Sequence, residues 1–335
     1  MQKELGELHE VLTKLTSTTM GRRVFLASVP FLLTACATSQ HRGREGDNSG
    51  QQTSLTVDDE KKMTAEVLPQ MRKEYTPLND SNVQNYVSEM GNKIVRANGL
   101  AGNPYNYNFT VVGVPYVNAF ALPAGTVFVT APLIELADSE AELAGVIGHE
   151  IGHIKARHTA ERMDVAKREQ KKSWLYGIGG GLLGGAAGFG VGKLLCPPKD
   201  SACLVKASAL GVAAGAGGGL LIQKFAFMAN SREDEMEADR IGFRTSVRAG
   251  YSKDHVGLFY SKLLKMEEQH KNGSVPLMSS VTDALSTHPP SRERVAQMEQ
   301  MRGESAANKT SRVSSQEFDR VRRFAAEWTR AHKKT

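Results

Sequence analysis

His149-Glu150-Ile151-Gly152-His153 constrains this 335-residue chain more than any other stretch, because its spacing has a chemical use only on a helix. Residues four apart on a helix share one face, so the two imidazoles can grip one metal ion together. Glu150 is turned about 100° from His149, which sets a carboxylate beside that ion, where it can take a proton from water. The flanking sequence supports the helix. Ser139-Glu140-Ala141-Glu142 has the pattern of a capping box, with Ser139 at the N-cap and Glu142 at the third helical position. Leu143, Val146, Ile147, Ile151 and Ile154 recur at helical spacing as a buried stripe, and no proline interrupts residues 140–165.

A catalytic zinc site takes three protein ligands and leaves one position open. His158 is close in sequence. On a continuing helix, however, it lies about 140° from His153 and about 180° from His149, so the spacing predicts a surface residue. The metzincin pattern would need glycine at 156 and histidine at 159, and the chain has Ala156 and Thr159 there. The run from Ser231 to Arg240 offers a better ligand. Glu235 and Asp239 are four apart, so one can bind the metal while the other accepts a hydrogen bond from the far nitrogen of a ligand histidine.

Three further segments carry a resemblance: Asn118-Ala119-Phe120-Ala121-Leu122-Pro123-Ala124-Gly125, Ala141-Glu142-Leu143-Ala144, and Thr287-His288-Pro289-Pro290 with Arg294. With the two motifs above, residues from about Asp59 to Met301 resemble the gluzincin metallopeptidases. That family includes HtpX, the CaaX prenyl endopeptidases and the periplasmic proteases BepA and LoiP. The resemblance implies an α+β, mainly helical, zincin-like domain, with a small mixed sheet carrying a substrate-binding edge strand over the motif helix. It implies one zinc ion per chain, held by His149, His153 and Glu235, with Glu150 as general base and Asp239 against a ligand histidine. His288 would reach the site from a separate loop, to stabilise an oxyanion or to cap the metal. Arg294 would hold that loop or help polarise the intermediate. The expected activity is hydrolysis of peptide bonds in misfolded or misassembled envelope proteins. A chaperone-like or adaptor lipoprotein and a membrane-embedded protease are the alternatives.

Substrate placement has its own expectation. Residues 106–112 and 126–130 read as strands from their β-branched and aromatic content. Asn118 to Leu122 would be an edge strand that ends at the turn Pro123-Ala124-Gly125. An open edge can add an extended peptide through backbone hydrogen bonds, which makes Asn118, Ala119 and Phe120 the expected contacts. Unfolded proteins are the expected partners, with outer-membrane assembly machinery a further candidate. The surplus charge, +6, is modest, and no basic and aromatic stripe points to nucleic acid.

The amino-terminal part suggests where such a domain would work. Arg22-Arg23, an apolar run from Val24 to Leu33, and Leu33-Thr34-Ala35-Cys36 describe an export signal across residues 1–36. Translation from Met20 would give it the usual length. Its end resembles a bacterial lipobox, so Cys36 would carry the lipid. Ala37 follows instead of aspartate, which favours the outer membrane over the inner one, with the protein in the periplasm. Residues 37–56 are polar and read as a flexible tether. The peptidase domain is expected over 57–302, and an amphipathic helix over 303–335 with Phe318, Val321, Phe324, Ala325 and Trp328 on one face. No internal repeat follows Met301, so no tetratricopeptide segment is expected there. Cys196 and Cys203 could form a disulfide in an oxidising compartment. Around them, the Gly/Ala-rich stretch 176–222 fits either a membrane-inserted hairpin or two helices packed on the domain. Apolar stripes predict further helices through Val83, Tyr86, Val87, Met90 and Ile94, and through Val256, Phe259, Tyr260, Leu263 and Leu264 with Ser252 as N-cap. Met63, Val67 and Met71 predict one more, kinked at Pro69.

Overall fold

The computed structural model describes residues 46, 48, 51, 53–164, 230–272, 281–306 and 311–332. The export signal, Cys36, Cys196, Cys203 and the stretch 176–222 therefore lie outside the described residues.

Thr56 opens α1 (Val57–Glu74) with a capping box: its hydroxyl accepts from Asp59 N, and the Asp59 carboxylate accepts from Thr56 N. The helix continues through Pro69 and buries Val67 and Met71. Asp80 caps α2 (Ser81–Ala97), which buries Val83, Tyr86, Val87, Met90 and Ile94, the stripe its spacing predicts. The sheet follows, with β1 (Asn108–Val112), β2 (Ala119–Leu122) and β3 (Thr126–Thr130) in the order β1-β3-β2. β1 runs parallel to β3 and β2 antiparallel to it, so β2 is an edge. Both faces of this mixed sheet are covered. Val111, Val127 and Val129 join the larger core with α2, while Val112, Phe120, Leu122 and Phe128 pack on Val67 and Met71 of α1.

After α3 (Ala131–Leu136), Ser139 begins α4 (Glu140–Lys155) by accepting from Glu142 N at 3.2 Å. The expected box is not closed on Ser139. The Glu142 carboxylate instead takes Asp138 N and the Lys262 ammonium, the latter at 2.9 Å, and a buried carboxylate gains more from a cation than from a second amide. The remaining elements are α5 (Arg232–Arg248), α6 (Leu258–Lys271), α7 (Thr282–Thr287), α8 (Arg292–Glu304) and α9 (Gln316–His332). α6 begins later than expected, because Ser252 Oγ pairs with His255 Nδ1 and residues 253–257 form turns ahead of the helix. α9 buries Phe318, Val321 and Ala325 in the larger core, so residues 316–332 pack as part of the domain's own interior.

Two helices meet nearly backbone to backbone, with the small Ser246 side chain of α5 reaching across to donate from Oγ to Ala144 O at 2.8 Å. Along α4, Gly148 and Gly152 face Gly242 and Ala238 of α5; a Cβ placed on Gly152 would lie 2.8 Å from Ala238 O, and one on Gly242 2.6 Å from His149 N. The backbones touch, and that contact sets the distance between the two motif-bearing helices.

The expected tether is corrected where it is described. Asn48 Nδ2 donates to Lys155 O, Gln51 Nε2 to Ala156 O and Thr53 Oγ1 to Ala160 O. The first two satisfy carbonyls left open where α4 ends, and the third reaches the helical segment that follows. Leu55 is buried, and the segment packs on the domain.

Candidate active site

α4 places His149 and His153 on one face, and its crossing with α5 brings Glu235 and Asp239 up to them. His149 Nε2 and His153 Nε2 are 2.9 Å apart. Glu235 Oε1 lies 3.2 Å from His153 Nε2, and Glu235 Oε2 lies 3.3 Å from His149 Nε2. His288, in the loop after α7, brings Nδ1 to 3.1 Å from Glu235 Oε1 and 3.3 Å from His149 Nε2. One ligand atom from each of His149, His153, Glu235 and His288 falls within 4.8 Å of all the others. His149 and His153 share a face of α4, while Glu235 and His288 come from distant stretches of chain, so the tertiary fold completes what the helix begins.

Burial and neighbouring charges push the two imidazoles of the motif in opposite directions. Burial pulls the His149 imidazole down, but the Glu235 carboxylate and Asp239 outweigh it and lift the group to about 9. Burial, then the charge on His149, holds His153 well below the usual histidine range. Burial opposes ionisation of Glu235, yet the charges of His288 and Arg294 keep it well below the usual carboxylate range. Two imidazole nitrogens directed at each other need a proton or a cation between them. Glu235 Oε2 is buried without an aligned hydrogen-bond donor, although Arg294 Nη1 stands 2.7 Å away. Two nitrogens and a carboxylate oxygen, with a third imidazole alongside, are a donor set that fits zinc.

The surrounding groups hold these donors in place. Asp239 Oδ1 sits 2.9 Å from His149 Nδ1, a close contact though not a well-aligned hydrogen bond. Asn230 Nδ2 donates to Glu235 Oε1. Arg294 is only 1% exposed. Its Nε and Nη2 donate to the two oxygens of Asp239 at 2.6 and 2.7 Å, and its Nη1 donates to Pro289 O, beside His288. The guanidinium thus lies behind the metal-facing atoms, tying Asp239, Glu235 and the His288 loop together. Glu150 is buried, and burial raises its pKa against the opposing charges of His288 and His149. Its Oε1 is 3.5 Å from His288 Nε2.

His158 departs from its expected place. It is fully buried, and its Nδ1 lies 2.8 Å from His153 Nδ1. The angular argument assumed a helix running through it, but α4 ends at Lys155 and Arg157 takes φ 55°. That left-handed residue turns the chain back, and residues 158–164 begin a new helical segment. Of the expected substrate contacts, Asn118, Ala119 and Phe120 are all buried; Phe120 stacks on Phe128 on the α1 side of the sheet, so its side chain faces away from any added strand. Thr130 N donates to Asn118 O, which pairs residues 118, 120 and 122 inward with β3 and turns the backbone groups of Ala119, buried, and Ala121, half-buried, away from β3; no further strand pairs with β2 among the described residues. Sequence reasoning missed the small-residue lines Gly148-x-x-x-Gly152 and Ala238-x-x-x-Gly242, although their matching spacing was visible.

The pattern for peptidase family M48 matches residues 81–302, more than half of the chain, and takes in every donor just described. The chain belongs to peptidase family M48. Curated relatives agree. It is 28% identical over 244 residues to the beta-barrel assembly-enhancing protease of Escherichia coli, covering 73% of this chain and 44% of that protein. It is 29% identical over 236 residues to the protein of the same name in Yersinia pestis, covering 70% and 42%. With the mitochondrial metalloendopeptidase OMA1 of Arabidopsis thaliana it shares 32% identity over 190 residues, 56% of this chain and 30% of that one. The chain thus spans less than half the length of these relatives. M48 membership and the mixed sheet over a mainly helical body together describe a zincin-like metallopeptidase domain.

Proposed function

We propose that this chain is a zinc-dependent endopeptidase that cleaves unfolded or misassembled proteins of the bacterial envelope. The observation that carries the reading is the cluster of buried His149, His153 and Glu235 with half-buried His288, and with Glu150 beside it. His149, His153 and Glu235 would hold the zinc, which when bound supplies a Lewis acid for water and the substrate carbonyl. Glu150 accepts the proton of the attacking water and returns it to the departing amine; its raised pKa suits a group that must both take and give. His288, within reach of both Glu150 and the ligands, caps the cluster without substrate and donates to the developing oxyanion when substrate displaces it. Arg294 acts through Asp239 and Glu235, keeping their carboxylates ionised and aimed.

The outward backbone groups of Ala119 and Ala121 support binding of an extended chain as a further strand. Such binding reads main chain over side chain, as broad action on unfolded segments requires. The proposed envelope setting is supported by the resemblance of Leu33-Thr34-Ala35-Cys36 to a lipobox and by bacterial relatives named for β-barrel assembly; in it the protein would work in the periplasm on a lipid anchor, at the outer membrane. No helix among the described residues is long and apolar enough to cross a membrane.

The test measures zinc content and cleavage of an unfolded protein such as casein together. Glu150→Gln should keep one zinc per chain and lose about 10²–10⁴-fold in rate, the usual worth of a general base. Glu235→Ala should lose both metal and activity. Undiminished cleavage by Glu150→Gln would sink the mechanism, and full zinc retention by Glu235→Ala would sink the ligand set.

A further inference from the structure

We infer that His158 and Glu237 are positioning residues for His153, forming a directed chain of hydrogen bonds that fixes the ring presenting Nε2 to the metal. The inference rests on the zinc reading above and adds residues that the reading does not use. His153 Nδ1 lies 2.8 Å from His158 Nδ1, and His158 Nε2 lies 3.3 Å from Glu237 Oε2. The other Glu237 oxygen, Oε1, accepts from Gly46 N at 2.9 Å. His153 and His158 are both buried, and Glu237 is 8% exposed.

Counting protons gives this chain one direction. A histidine that binds metal through Nε2 carries its proton on Nδ1 and must donate there. His158 Nδ1 is then the acceptor, so His158 carries its own proton on Nε2. That proton has the Glu237 carboxylate as its acceptor, with Asp234 Oδ1 farther off at 3.7 Å. A carboxylate can only accept, and Glu237 takes Gly46 N–H on its remaining side. Reversing any one link leaves two donors or two lone pairs facing each other.

The two ligand histidines are therefore supported differently. His149 meets a carboxylate directly, Asp239, whose charge Arg294 balances. His153 meets a neutral ring, which moves the carboxylate one residue outward. A direct carboxylate there would add a further acidic group to a buried site that already holds Glu150, Glu235 and Asp239. The turn at Arg157 makes the arrangement possible, since a continuous helix would carry His158 away from His153.

The experiment is zinc affinity of the full chain, by competition with a chromophoric chelator, alongside the melting midpoint of the metal-free protein. Wild type is compared with His158→Phe, His158→Gln and Glu237→Gln. Outer partners of ligand histidines are worth about 10–100-fold in metal affinity, so His158→Phe should weaken zinc at least tenfold. His158→Gln keeps an acceptor oxygen for the His153 proton and should recover most of that loss. Glu237→Gln should weaken zinc several-fold with the metal-free midpoint little changed. Affinity within twofold of wild type in Glu237→Gln overturns the inference, even where His158→Phe fails to fold. So does a loss in His158→Phe that His158→Gln leaves unrecovered. Wild type that binds no zinc overturns the metal reading itself, and the inference with it.

Discussion

The two long faces of α4 pack by opposite means. One presents Leu143, Ile147, Ile151 and Ile154 to the larger core. The other, about 140° around the helix, presents Gly145, Gly148 and Gly152 to backbone atoms of Val256, Gly242 and Ala238. Side chains on the first face can shift rotamers and absorb a change. On the second the neighbours are mostly backbone, and the small Ser246 hydroxyl beside Gly148 is tied to Ala144 O, so little is left to adjust. Stability comes mainly from the apolar face, whereas the glycine face fixes how far Glu235 and Asp239 stand from His149 and His153. A metal site tolerates little error in that distance, which is why the motif helix meets its partner through glycine.

Removing the charge that sits where the two helices and the His288 loop converge should give the largest effect. Arg294→Met leaves Asp239 and Glu235 as buried carboxylates without their cation, and breaking a buried pair this way costs about 3–5 kcal/mol. Chemical denaturation should show that loss, and zinc affinity should fall with it. A variant that keeps wild-type stability would mean that Arg294 is not balancing these groups. On the apolar face, Ile151→Ala should cost about 2–4 kcal/mol by emptying a fully buried site. Zinc affinity should stay near wild type, because the α4–α5 contact is untouched. A large loss of metal in Ile151→Ala would erase the distinction between the faces.

That distinction also explains what the sequence made legible. The apolar stripe of α4, the Ser139 cap and the pairs His149/His153 and Glu235/Asp239 all follow from helical period, a local property that residue spacing carries directly. β1 and β3 were visible from β-branched and aromatic content and β2 from the resemblance of Asn118–Leu122 to an edge-strand motif, and the three close into the expected mixed sheet. His158 was misplaced because its reading extended one helix past Lys155, and Lys155-Ala156-Arg157 carries neither glycine nor proline to announce the turn. Residues 46–53 were read as tether from their polarity. Polar side chains are what the open carbonyls at Lys155 and Ala156 require, but the partners lie more than a hundred residues away. Composition reports that such groups seek hydrogen bonds and is silent on where they find them.

Gly152→Ala should produce the smallest loss of stability and the sharpest test of the comparison. Two terms oppose each other. Alanine favours the helix by about 1 kcal/mol over glycine. Its methyl would sit 2.8 Å from Ala238 O and 3.0 Å from Ala238 Cα, and overpacking of this kind costs about 1–3 kcal/mol. The contact is with backbone, which cannot swing aside as a side chain would, so the cost should win by about 1 kcal/mol. The relief available is for α5 to move outward at Ala238, the residue beside Asp239 and three beyond Glu235. Zinc affinity should therefore drop well beyond what the stability loss alone would give, the reverse of the result for Ile151→Ala. Equal zinc affinity in the two variants would show that α5 is held at its distance by something other than the glycine face.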